Sequence, residues 1–218
     1  MNTSGNEQLD ILLQKDYEVN VEKYFRKGWQ ILQPSFGPMI GFFVVIALIN
    51  AVLSFIPAVG GSVAALVATP LAAGYTFVVL AVLRGQSFTF TDFFKGLTNK
   101  YFLQLFLISL VGGVLCALGY LLLLLPGIYL SVSYIFAIQF AVDWDLEFFP
   151  ALETSRKLVS KQWLQVFVLL LALLALNFVG ALLLGIGVLV TAPLSLCIIV
   201  SAYDDIAGNR ANGSTREA

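Results

Sequence analysis

The chain has 218 residues, of which 59% are hydrophobic and only 11% charged, with a formal net charge of −1 and a mean hydropathy of +0.91. A soluble domain usually carries about 25% charged residues to keep its surface wet, so this composition excludes a water-facing globule, a disordered chain and a nucleic-acid binder. Two cysteines are too few for a disulfide scaffold, and the absence of histidine removes the commonest metal ligand and general base.

Taken in chain order, residues 1–16 read as a polar N-terminal tail. No secretory signal is expected, because the polar stretch before the first apolar block lacks a short apolar core with a cleavage site. Residues 17–30 predict a weakly amphipathic helix on Val21, Tyr24 and Phe25. The block Phe36–Leu83 then contains no Lys, Arg, Asp or Glu, and neither do the later blocks Phe102–Val142 and Leu164–Tyr203. One membrane crossing takes about 20 apolar residues, and each block is about twice that long. The blocks therefore predict hairpins near 36–83, 102–142 and 164–204. Turn residues sit where the tips should be: Pro57 with Gly60 and Gly61, Pro126 with Gly127, and Gly185 with Gly187. Six helices follow, near 37–56, 60–83, 102–123, 126–142, 164–184 and 187–204.

The segments between hairpins have helical apolar spacing. Near 89–99, Phe90, Phe93, Phe94 and Leu97 share a face with Asp92 and Lys95 opposite, and Thr89 or Thr91 is the expected N-cap. Near 148–162, Phe148, Leu152, Val159 and Trp163 share a face, with Glu153, Arg156, Lys157 and Lys161 away from it. Such helices are expected to lie in the headgroup plane, aromatics down and bases up. Residues 207–218 read as a disordered C-terminal tail, leaving 17–206 as a single membrane domain. All 12 Lys and Arg residues fall outside the hairpins. Basic loops stay cytoplasmic, which places both termini inside and the three tips outside. Shallow re-entrant hairpins are the alternative, since uncharged tips need not reach water. The expected fold is all-α: a polytopic integral membrane protein of six transmembrane helices in three hairpins, each preceded by a cytoplasmic amphipathic interfacial helix.

The junctions resemble one another. Tyr101-Phe102-Leu103-Gln104-Leu105-Phe106 aligns with Gln162-Trp163-Leu164-Gln165-Val166-Phe167, and Trp29-Gln30-Ile31-Leu32 is a looser copy. Each second helix carries one proline: Pro70, Pro126 and Pro193. A tandem repeat of one interfacial helix plus one hairpin is inferred. The run Leu122 to Leu130 around Pro126-Gly127, then Asp143, then Ala151 to Leu158, resembles a group of small bacterial six-helix membrane proteins of unknown function. That group is related to the membrane domain of glycerophosphodiester phosphodiesterases. The resemblance covers roughly residues 20–205 and implies a bacterial cytoplasmic (inner) membrane location and a module without chemistry of its own. The phosphodiesterase domain has no counterpart here.

Ionisable residues inside a membrane mark ion pathways or catalytic sites, and the expected helices hold none away from their ends. Asp143, Asp204 and Asp205 fall at the interface, where adjacent carboxylates read as boundary markers rather than a metal site. Asn50, Gln139 and Asn177 are expected to join helices by hydrogen bonds. Gly37 with Gly41, and Gly61, Ala64, Ala65, Ala68 and Ala72, suit close helix contact. Cys116 and Cys197 read as small hydrophobes. No cofactor, metal or catalytic residue is expected. Arg84, Lys95, Lys100, Arg156, Lys157, Lys161, Phe93, Phe94 and Trp163 are expected to meet the lipid interface. The expected partners are membrane lipids and a membrane protein or a second copy, not nucleic acid. The favoured function is a non-enzymatic scaffold, accessory subunit or membrane-organising factor. A transporter or channel component for an uncharged or lipid-like substrate is the alternative.

Overall fold

A computed structural model describes residues 3–55, 60–182 and 187–208, and among these every regular element is helical. The elements are α1 (Thr3–Gln14), α2 (Val21–Leu32), α3 (Phe36–Ser54), α4 (Gly60–Leu83), a 3-10 helix (Phe90–Leu97), α5 (Asn99–Leu122), α6 (Leu124–Ser133), α7 (Ala137–Asp143), α8 (Phe148–Ser160), α9 (Trp163–Leu182) and α10 (Val188–Ala207). The N-terminal stretch, read as a polar tail, thus holds a helix. The expected turns at Pro57 and Gly185, and the tail beyond residue 208, lie outside the described residues.

Local chemistry sets many of the ends. Asn20 caps α2 by accepting from the Lys23 amide at 2.9 Å. Helix α4 stops where Gly85 takes φ +64°, with the Gly85 amide on the Val82 carbonyl and the Gln86 amide on the Ala81 carbonyl. That paired closure needs a left-handed residue, which glycine supplies without strain. The Thr89 amide donates to Asp92 Oδ2 at 2.7 Å and starts the 3-10 helix. Pro126 falls in the first turn of α6, where its missing N–H leaves no gap in the ladder.

Four helical segments are long and apolar enough to cross a membrane: α5, α6 with α7, α9 and α10. A fifth arises if α2 and α3, bent by 91° to each other, count as one span. The apolar part of α4 counted among the described residues, Ala68–Leu83, is shorter. Four to five candidate spans is therefore the count the described residues carry, fewer than the six expected from the charge-free blocks.

The second expected helix of the middle hairpin is not continuous. It breaks between Ser133 and Ala137. Before the break, the Ser131 and Ser133 hydroxyls donate to the Gly127 and Tyr129 carbonyls four residues back, a habit that bends helices. At the break itself, Ser155 Oγ from α8 donates to the Ser133 carbonyl at 2.7 Å and accepts from the Phe136 amide at 3.2 Å. A side chain from another helix thus stands in for ladder partners that the break removes.

Helices α4, α7 and α10 form the inside of the bundle, while α3, α5 and α9 lie outside them. Among span residues, 22% are buried in α5 and in α9 against 50% in α10. The outer helices turn Leu103, Leu110, Val114 and Leu118, and Leu164, Leu171, Leu174 and Phe178, to the surroundings. The tip between α5 and α6 exposes Leu121 through Leu125.

The amphipathic segments follow one packing rule. The 3-10 helix sits on α4, α8 on α7 and its neighbours α5 and α6, and α2 on α10. Each rests on the second helix of the preceding hairpin, with the first segment closing back onto the last. Close approach requires small residues at these seams. A Cβ at Gly74 would run into the Phe93 backbone, and one at Gly96 into the Pro70 carbonyl.

Candidate functional site

Charged side chains gather at the end of the bundle where α4, α7 and α10 finish and α5 and α9 begin. Arg84, placed by the closure of α4, pairs with Asp143 Oδ1 at 2.6 Å, and the Asp143 side chain is 1% exposed. Tyr203 of α10 donates to Asp143 Oδ2 at 3.2 Å, and its ring packs on Phe140 of α7 and on Phe136 just before that helix. One carboxylate therefore ties together the three inner helices. Trp144 adds a bond from its indole N–H to the Ala207 carbonyl. On the other side of α10, Lys23 of α2 pairs with Asp205 at 2.6 Å and Lys27 with Asp204 at 3.6 Å. Tyr24 also donates to Asp205. The adjacent aspartates thus anchor α2. Among the described residues no group of three or more His, Cys, Asp or Glu is placed to hold a metal ion.

The residues expected at the lipid interface have different fates. Phe93 is a correction: it is fully buried, stacked on Phe42 at 4.5 Å and edge-on to Tyr75 at 5.4 Å. Its ring meets protein, not lipid, because the 3-10 helix lies against α4. Phe94 is half-buried, edge-on to Phe42 at 5.2 Å. Leu152 and Val159 of α8 are likewise buried in the bundle. Trp163 belongs to α9, donates to the Tyr129 carbonyl at 3.2 Å and stacks between Tyr129 and Phe167. Exposed aromatics do occur at this level: Phe90, which belongs to the expected apolar face, and Trp29, Phe36 and Phe149, which do not.

The bases are engaged within the protein. Lys95 pairs with Asp92 at 2.9 Å and Lys100 with Asp145 at 3.0 Å. Arg156 grips Glu153 through two bonds of 2.8 Å, and Lys157 adds a contact at 3.6 Å. Lys161 donates to the Lys15 carbonyl at 3.0 Å, fastening the link between α1 and α2. These partners hold the Asp92 and Glu153 carboxyls below the usual carboxylate range, Lys95 being the chief cause for the first and Arg156 for the second. Burial pushes the Tyr17 phenol up to about 12, and its hydroxyl donates to the Leu158 carbonyl.

The three amides do not converge. Asn50 donates to Ile46 of its own helix, and Asn177 bridges to Ser195 Oγ of α10 at 2.7 Å. Gln139 is buried one turn before Asp143, with its Oε1 unpartnered. Separately, a cavity of about 240 Å³ lies beside the α6–α7 break, walled by α4, α5, α6, α7 and α8. No family model matches the chain, and neither a curated protein nor a solved structure matches it.

Proposed function

We propose that this chain is a non-enzymatic integral membrane scaffold, an accessory or membrane-organising factor whose working surface is its charged end. The observation that carries this reading is the closed polar junction of Arg84, Asp143 and Tyr203, which locks the inner helices together instead of lining a path. In this reading the protein crosses the bilayer six times in three hairpins built on one repeated unit. Both termini face the cytoplasm of a bacterium, as the loop bases favour. The resemblance to membrane domains related to glycerophosphodiester phosphodiesterases supports the same assignment. Lys95, Lys100 and Lys157 are the most exposed of the paired bases and would meet anionic headgroups. Each is worth about 1 kcal/mol near such a surface.

A second reading, a carrier for an uncharged lipid-like molecule, draws on the broken helix and the cavity beside it. Proteoliposomes separate the two. The scaffold reading expects retention of anionic lipid that falls with salt and in the triple variant Lys95→Gln, Lys100→Gln, Lys157→Gln. It expects transbilayer movement of a fluorescent lipid no faster than in protein-free vesicles. Protein-dependent lipid movement would shift the assignment to the carrier.

A further inference from the structure

The cavity beside the α6–α7 break has a shape and chemistry that specify an occupant. We propose that it holds one acyl chain of a membrane lipid, entering sideways from the bilayer. This rests on α5, α6 and α7 crossing the membrane and not on the scaffold reading.

Position comes first. Ser109, Gly112 and Cys116 line the cavity and lie ten to seventeen residues into α5. At about 1.5 Å per residue they stand some 15–26 Å from the charged end. The hydrocarbon core is about 30 Å thick, so the cavity is level with acyl chains, from mid-bilayer toward the far leaflet. Its rim is open on the perimeter: Gly113 and Ser131 are exposed, and Leu110 and Val114 flank the rim on α5 with about half their surface uncovered.

Chemistry comes second. The Ser109 hydroxyl donates to the Phe106 carbonyl and the Ser131 hydroxyl to the Gly127 carbonyl, both at 2.9 Å. Their protons are therefore already engaged. Thr69, Cys116 and Tyr134 also line the cavity, but most of what remains to be touched is apolar, chiefly Ile108, Ile135, Ile138 and Leu152. A polar solute would lose hydrogen bonds on entering, whereas a hydrocarbon chain loses none. The volume of about 240 Å³ exceeds the ~150 Å³ apolar cavity that takes up benzene. The rim is unobstructed at Gly113, where a Cβ would meet nothing within 4 Å. The floor is Leu152 of α8, the helix whose Ser155 clamps the break. An acyl chain in the cavity thus touches the element that links the break to the charged end.

The test uses the full chain in nanodiscs carrying a phospholipid with a mid-chain diazirine. Photo-adducts should concentrate on residues 108–116 and 131–138. In mild detergent, native mass spectrometry should find a retained phospholipid on the wild type. Gly113→Leu, which places a bulky side chain at the mouth of the cavity, should lower that retention about tenfold, a difference of ~1.4 kcal/mol. Gly41→Leu places the same side chain on α3, where a Cβ also meets nothing within 4 Å, and should leave retention unchanged. Adducts spread evenly over α5 and α9, or undiminished retention in Gly113→Leu, would overturn the site and leave a packing gap. Release of the wild type from membranes by alkaline carbonate would instead overturn the membrane crossing on which the site depends.

Discussion

Asp143 receives a guanidinium from Arg84, just past the end of α4, and a phenol from α10 while almost none of its own side chain is exposed. Removing one member of a buried pair leaves the other charge without compensation, at about 3–5 kcal/mol. Asp143→Ala should therefore lower the unfolding temperature in detergent far more than Lys100→Ala, whose pair with Asp145 is exposed on both sides. The triple change Arg84→Met, Asp143→Leu, Tyr203→Phe should recover much of the loss, because it removes the charges together with the phenol hydroxyl that donates to Asp143. At Glu153 the sign runs through pH. Its carboxyl is held below its ordinary range by Arg156, so the pair stabilises α8 fully above the unfolded Glu value, about 4.3. That contribution is lost as pH falls through the lowered folded value. Hydrogen exchange in α8 should accelerate on acidification through this range, and Glu153→Gln should show a smaller pH dependence.

Among the elements, the α6–α7 break depends on a residue outside it. Ser155 is fully buried and bonds to both sides of the break. Ser155→Ala deprives the Ser133 carbonyl and the Phe136 amide of this partner, a penalty of about 1–3 kcal/mol when no water replaces it. The Phe136 amide should then exchange faster with deuterium, while amides in α9 stay unchanged. Equal acceleration in both helices would mean that Ser155 contributes only to global stability. The amphipathic segments teach a related point. Their apolar faces were legible in the spacing of Phe90, Phe93, Phe94 and Leu97. Their destination was not, because a face that suits an acyl chain suits α4 equally well.

For the whole molecule, the decisive quantity is the side of the membrane reached by each turn. With cysteines placed singly in a Cys116→Ala, Cys197→Ala background, the exposed tip positions Leu123→Cys and Leu182→Cys should react with an impermeant maleimide only from outside. Lys95→Cys and Lys157→Cys should react only from inside. Labelling of a tip from the inner face would replace spanning hairpins with re-entrant ones. A fold in which α2 closes onto α10 has a further property: its first amphipathic helix finds its seat only after the last hairpin is in place.

The apolar helical blocks and the gathering of charge between them were legible in the chain alone, but the α6–α7 break and the count of four to five candidate spans were not. Hydropathy sums locally, residue by residue, so about 20 apolar residues declare themselves without reference to the rest of the chain. The tertiary structure decided which polar groups meet: Arg84 with Asp143, Lys23 with Asp205, Ser155 with the break in another helix. It also decided that Phe93 packs within the protein. Such pairings join residues far apart in the chain, and no local pattern encodes a partner that only the packing of helices brings near.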